Sequence, residues 1–263
     1  MTILDKILEQ KRLELPALQA AKPNFQTVLK TRPSLYENLI KSDTLQVIAE
    51  MKRASPSKGD IATHIDPIDQ ALQYEQAGAA CISVLTEHAY FKGSFQDLNA
   101  VANAVAIPVL CKDFIIDSVQ IDYAKAAGAS VILLIVAALK NEQLQSLYTY
   151  AAAKNLEVLV EVHDIDELQC ATAIGAKIIG VNNRNLKTFE VTLSKTAEIA
   201  QHLPSSTTAF ISESGIWNAE DARFVANAGA KAVLVGESLM RSGDVKTSLQ
   251  NLQIDITTKA GEK

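Results

Sequence analysis

Cysteine is scarce in this chain of 263 residues: Cys81, Cys111 and Cys170 are an odd number, widely spaced, with no C-x2-C pair. That excludes a disulfide framework and a thiolate zinc site, and leaves three reduced apolar side chains suited to a cytoplasmic setting. Histidine is almost as rare. His64, His88, His163 and His202 form no H-x-x-x-H pair, so metal is not expected, and the four read as solvated or locally hydrogen-bonded. Of these, only His163 falls close behind a strand-like run. Basic residues are not in excess either. A net charge of −5 argues against the basic stripe that marks a nucleic-acid partner. No apolar run approaches membrane-spanning length, and the opening MTILDKILEQKRLEL mixes charged with apolar residues instead of building a signal-peptide core. Walker and G-x-S-x-G sequences are missing too. The expectation is a soluble protein with a small-molecule partner, no nucleic acid and no membrane.

What the chain does have is a repeat. Gly78-Ala79, Gly128-Ala129, Gly175-Ala176 and Gly229-Ala230 each precede a short apolar run, with their glycines 50, 47 and 54 residues apart. A period near that length marks a repeated supersecondary unit. Each glycine follows an alanine-rich stretch such as DYAKAAG, and so reads as a left-handed helix stop. Four further apolar runs, VIAEMK from Val47, PVLCK from Pro108, EVLVEV from Glu157 and AFISE from Ala209, lie between those four, making eight strands. Near-continuous Val, Ile and Leu suits parallel strands buried on both faces. An open dinucleotide-binding sheet would carry G-x-G-x-x-G after a strand, and none is present. The reading is an α/β fold, a single (β/α)8 TIM barrel over 1–263. Residues 1–45 form an N-terminal helical extension, with Ile3, Leu4, Ile7, Leu8 and Leu13 near helical spacing, and ITTKAGEK forms a frayed tail.

Charge falls at the C-terminal ends of these strands, where such barrels place their chemistry. Alternation puts Glu50 and Lys52 in phase with Ile48, Lys112 with Leu110, Glu161 with Leu159 and Glu213 with Ile211, while Asn182 and Arg184 close the sixth strand. Lysines and glutamates crowded over an apolar barrel perturb one another's protonation, as acid–base work at neutral pH requires. Ser214-Gly215 and Gly236 follow the seventh and eighth strands, the loops that often hold a phosphate on backbone N–H groups. Ordinary turn glycines would read the same way. Glu237 beside a bound anion should turn its side chain away. The first loop, Arg53 to Gly59, is either a mobile anion-binding lid or a solvated turn.

The motifs IAEMKRASPSKG (48–59), SVLTE with FKGS (83–94), PVLCKDF (108–114), EVLVEVHD (157–164), IIGVNNRNL (178–186), ISESGI (211–216) and VLVGESLM (233–240) closely resemble the indole-3-glycerol-phosphate synthase family, with the match running from about residue 3 to residue 245. The resemblance implies an enzyme of tryptophan biosynthesis without cofactor or metal. Its substrate would be 1-(2-carboxyphenylamino)-1-deoxy-D-ribulose 5-phosphate, which undergoes ring closure, decarboxylation and dehydration. Carried over residue by residue, it implies Lys112 as general acid, Glu161 as general base, and Glu50 holding the reacting centre and its lysines. Lys52 would engage the substrate's anionic groups or share the acid's duty. Asn182 and Arg184 would orient the substrate, with Glu213 and Ser214 completing the rim. Ser55, Gly215 and Gly236 match the phosphate side, and Phe91, Leu133 and Leu186 the apolar wall, although Leu133 suits plain core packing equally. A monomer or weak homo-oligomer is expected. The rival readings are another phosphosugar barrel enzyme, such as phosphoribosylanthranilate isomerase, or a barrel that binds a phosphorylated metabolite without turning it over.

Overall fold

The computed structural model describes residues 2–56, 59–61, 64–203 and 207–256. Eight parallel strands close into a barrel in sequential order: β1 (Gln46–Met51), β2 (Cys81–Leu85), β3 (Val109–Lys112), β4 (Val131–Ile135), β5 (Glu157–Val162), β6 (Ile178–Asn182), β7 (Ala209–Glu213) and β8 (Ala232–Val235), the last pairing back onto β1. Helices follow each strand. They are α3 (Pro67–Gln76), α4 (Phe95–Ala104), α5 (Ser118–Ala126), α6 (Asn141–Ala153), α7 (Ile165–Ala173), α8 (Ser194–Ala200) and α9 (Ala219–Asn227), then the short α10 (Glu237–Met240) and α11 (Val245–Gln250). All eight apolar runs form the strands expected of them.

The period of two along each strand separates two cores. Ile48, Cys81, Leu110, Leu133, Leu159 and Ile211 fill the barrel, whereas Val47, Ile82, Cys111, Ile132, Val160 and Phe210 pack outward against the helices. The four spaced glycines, Gly78, Gly128, Gly175 and Gly229, all take positive φ. At Gly128 space makes the same demand, since a Cβ there would lie 2.5 Å from Val28 Cγ2. The strap that brings Val28 to that point is tied by Arg32, whose guanidinium donates to the carbonyls of Ala102, Val105, Ile107 and Gly128.

The N-terminal segment forms two helices, and they close opposite ends of the barrel. In α1 (Ile3–Ala20), Leu4 and Leu8 pack with Ile116, against Phe114, Ala138 and Leu186 beyond the strand C-termini. Leu13, expected on the same apolar face, is 71% exposed; Lys11 is buried in its place and pairs with Asp113 at 2.8 Å. Helix α2 (Leu35–Lys41) plugs the lower end, with Leu35 and Leu39 joining the inner core. Here the lower rim carries a charge with a task. Glu157, at the start of β5, accepts hydrogen bonds from Ser34 Oγ (2.6 Å) and the backbone N–H groups of Leu35 (2.7 Å) and Tyr36 (3.1 Å). A carboxylate at a helix N-terminus satisfies donors the helix cannot. Glu157→Ala is expected to destabilise the protein by about 1–3 kcal/mol, read as a lower urea midpoint, with kinetic constants unchanged. An unaltered midpoint would mean that α2 is held by its leucines alone.

The first loop contains an unexpected antiparallel pair, Ala54–Ser55 with Gly59–Asp60. Ser57 and Lys58 of the anticipated lid lie outside the described residues, as does the tail from residue 257.

Candidate active site

Every side chain singled out at a strand end lines one cavity of about 400 Å³ above the barrel. Its floor is charged. Lys112 Nζ lies 2.5 Å from Glu213 Oε2 and 3.2 Å from Glu161 Oε2, bridging β3 to β7 and β5. Glu161 Oε1 accepts from Asn182 Nδ2 at 3.1 Å, and Asn182 Oδ1 accepts from Ser214 Oγ at 3.0 Å. On β1, Glu50 Oε1 holds Lys52 Nζ at 2.7 Å. The polar chain thus joins β3, β5, β6 and β7 across the barrel mouth, with the Glu50–Lys52 pair beside it on β1. Glu213, expected at the rim, is in fact 2% exposed on the floor.

These groups shift one another strongly. Burial disfavours the Lys112 ammonium, but the charges of Glu213, Glu161 and Glu50 outweigh it and hold the lysine protonated far above its usual range. Burial also works against the Glu161 carboxylate, yet Lys112, His163 and Asn182 keep it ionised well below the ordinary range. Glu213 goes the other way. Its burial, reinforced by Glu161 and Glu50 and only partly offset by Lys112, pushes it up to about 7. Two carboxylates share one ammonium, and Glu213 is the one that takes the proton near neutrality. Its Oε1 is buried with no hydrogen-bond partner among the described residues.

The room for that oxygen comes from Gly180, where a Cβ would sit 2.1 Å from Glu213 Oε1 and 3.0 Å from Leu159 Cδ1. Gly180→Ala must therefore displace the carboxyl from Lys112. Steady-state kinetics should give kcat lower by about 10–100-fold with the circular dichroism spectrum unchanged, because misplacing a reacting group by an ångström costs that much. Wild-type kcat in this variant would show that the placement of Glu213 is immaterial.

Part of the lining is apolar. Phe91, Leu133 and Leu186 form it, joined by Ile3, Leu4 and Ile7 of α1. Helical spacing had identified those three as buried, but not which end of the barrel they would cover. Phe91 is set by Glu87, a buried carboxylate accepting from the N–H groups of Ala89, Tyr90 and Phe91. Ser55, Arg184, Gly215 and Gly236 also face the cavity. Ser214 and Gly215 both take positive φ, and Asn183 Nδ2 secures that turn by donating to Ser214 O at 3.0 Å. Asn183 also binds Ser212 and Thr196 from beneath. Glu237 pairs with Arg241 at 3.1 Å. Arg53 is committed to Asp97 and does not line this cavity, which removes one of the cations anticipated for an anion lid.

A closed (β/α)8 barrel that gathers two lysines and three buried carboxylates beside glycine-rich loops is the framework of an acid–base enzyme for an anionic small molecule. A family model described as indole-3-glycerol phosphate synthase matches residues 4–252. A protein of that name from Oceanobacillus iheyensis is 51% identical over 260 residues, covering 99% of this chain and 100% of that one. Another, from Bacillus thuringiensis subsp. konkukian, is 50% identical over 256 residues, covering 97% and 99%. The chain belongs to the indole-3-glycerol phosphate synthase family. Among solved structures, thiamine phosphate pyrophosphorylase from Pyrococcus furiosus (TM-score 0.60, 17% identity, covering 79% of this chain and 93% of that one) shares the fold. So does 3-hexulose-6-phosphate synthase (TM-score 0.61, 17% identity, covering 79% and 98%).

Proposed function

We propose that the protein converts 1-(2-carboxyphenylamino)-1-deoxy-D-ribulose 5-phosphate to indole-3-glycerol phosphate, releasing carbon dioxide and water. The observation that carries this reading is the Lys112 ammonium held between Glu161 and Glu213 on the floor of a cavity partly lined by apolar side chains. Such a cavity seats an aromatic ring over an acid and a base at once. The ring lies against Phe91, Leu133 and Leu186. The phosphate meets Ser55 and the backbone at Gly215 and Gly236, and Lys52 and Arg184 balance the substrate's anionic charge.

In this position Lys112 donates its proton to the substrate carbonyl oxygen as the aromatic carbon attacks the carbonyl carbon. Carbon dioxide then leaves from that ring carbon. In the last step Lys52 gives a proton to the new hydroxyl, which departs as water while Glu161 takes the proton from the adjacent carbon; the indole is complete, and exchange with solvent restores the lysines and Glu161. Glu50 fixes Lys52, while Asn182 and Ser214 orient Glu161 and the substrate hydroxyls. Glu213, raised to about 7 and so partly protonated at neutrality, keeps Lys112 in place without adding a full negative charge. The chain acts in the cytoplasm, where Cys81, Cys111 and Cys170 stay as free thiols, and as a monomer or weak homo-oligomer.

Incubation of the purified protein with the carboxyphenylamino sugar phosphate, without added metal, should yield a fluorescent indole product. Persistent inactivity toward it, with turnover of a different phosphosugar, would overturn the assignment.

A further inference from the structure

His163 follows β5 directly, two residues beyond Glu161, and none of the roles above uses it. Its ring is nearly buried, with the side chain 10% exposed, and each nitrogen faces a carboxylate: Nε2 lies 3.4 Å from Glu161 Oε1, and Nδ1 lies 3.0 Å from Glu167 Oε2. Glu167, on α7, is itself anchored, accepting the His163 backbone N–H at 2.8 Å. A neutral imidazole has one proton for its two nitrogens, so either tautomer would press a lone pair against a carboxylate. The doubly protonated ring hydrogen-bonds Glu167 through Nδ1, and it sets its positive charge, without a hydrogen bond from Nε2 among the described residues, 3.4 Å from Glu161.

We infer that His163 is a positioning residue for the reaction proposed above: an imidazolium clamped by Glu167 that keeps Glu161 ionised and turned toward the cavity floor. The inference rests on the reading of Glu161 as the base. Its chemical logic lies in the order of events. When Lys112 passes its proton to the substrate, Glu161 loses its nearer counter-charge in a buried site, where an unpaired carboxylate is costly. His163 does not reach the substrate, keeps its proton, and remains as the counter-charge until Glu161 acts. The groups facing the ring support this. Glu161 comes from its own strand and Glu167 from α7, with Lys112 of β3 behind Glu161; the turn Val136–Ala138 brings only apolar side chains, and β6 brings the neutral Asn182. Burial opposes the charged ring, but the two glutamates prevail and raise it to about 9.

The imidazole nitrogens of the wild-type protein can be read by ¹⁵N NMR at pH 7.5, where both nitrogens of His163 should carry protons. His163→Gln keeps a polar side chain without the charge. It should lower kcat by about tenfold with KM nearly unchanged, the cost of a loosened catalytic group. The acid limb of its dehydration step, in which Lys112 has already given up its proton, should move up by about one pH unit, because a carboxylate that loses a cation is protonated more easily. Glu167→Gln should move the limb the same way by less. A neutral ring in an enzyme that turns over substrate overturns the inference and leaves Glu161 as base. So does a His163→Gln acid limb that coincides with the wild type, whatever happens to kcat, since packing damage alone would not shift it. Full kcat in Glu161→Gln would instead overturn the reading beneath it.

Discussion

Replacing Lys112 by methionine lowers kcat by about three orders of magnitude, the middle of the range for a general acid and in line with a group that also stabilises developing charge. Methionine keeps the length and apolar stem of the side chain, so the cavity retains its shape and loses only the ammonium. The loss falls on the first step. Without a proton for the carbonyl oxygen the ring does not close, and neither carbon dioxide nor indole appears in a single turnover. Binding of a phosphorylated product analogue, seated on Ser55, Gly215 and Gly236, should stay within a few-fold of wild type, which isothermal titration would check. A variant that keeps more than about a tenth of wild-type kcat would remove Lys112 from the role of acid.

The same substitution has a stability signature with a definite sign. In the wild type Glu213 is raised from 4.5 to about 7, so above 4.5 the folded protein retains a proton that the unfolded chain has released. Such a group costs stability as pH rises from 4.5 toward its folded value, after which the cost is constant. Removing Lys112 takes away the cation that limits that rise. Lys112→Met should therefore unfold at a lower urea concentration at pH 9 than at pH 6, by a wider margin than wild type. Glu161 contributes in the opposite sense. Its depressed pKa gives stability above the ordinary carboxylate range that is lost as pH falls through its folded value.

The barrel was legible in the sequence because its signals are local. A glycine stop and an apolar run of fixed spacing identify each unit, and strand alternation alone says that Glu50, Lys112, Glu161 and Glu213 share an interior. Depth and pairing were not legible, because they depend on contacts distant in the chain. Glu213 looks like a rim residue until Gly180, on the neighbouring strand, opens the space that lets it sink beside Lys112. Lys11 lies outside the apolar spacing of α1, yet it is buried on Asp113, and Leu13 takes the exposed place. Helical spacing locates a face, but a buried ion pair can outbid a leucine for it when the partner carboxylate is already fixed, as Asp113 is by Thr86 at 2.7 Å. His163 gave no signal as a metal ligand, and its importance arises only from the two glutamates brought to its nitrogens.

Glu161→Gln separates the last step from the first. Glutamine preserves the volume, and its side-chain oxygen can still accept from Asn182, but it takes no proton. Steady-state kcat should fall by about two to four orders of magnitude, the usual contribution of a positioned base. The distinguishing measurement is a single turnover with carboxyl-labelled substrate. Lys112, Lys52 and the phosphate-side loops are intact in this variant, so ring closure and decarboxylation proceed and each active site releases one equivalent of labelled carbon dioxide. Dehydration then stalls, and indole fluorescence lags far behind the gas. In Lys112→Met neither signal appears. If Glu161→Gln instead blocks carbon dioxide and indole together, Glu161 acts at or before ring closure. The proton that Lys112 delivers to the carbonyl would then be governed by the carboxylate 3.2 Å away, and acid and base would have to be assigned to one coupled step.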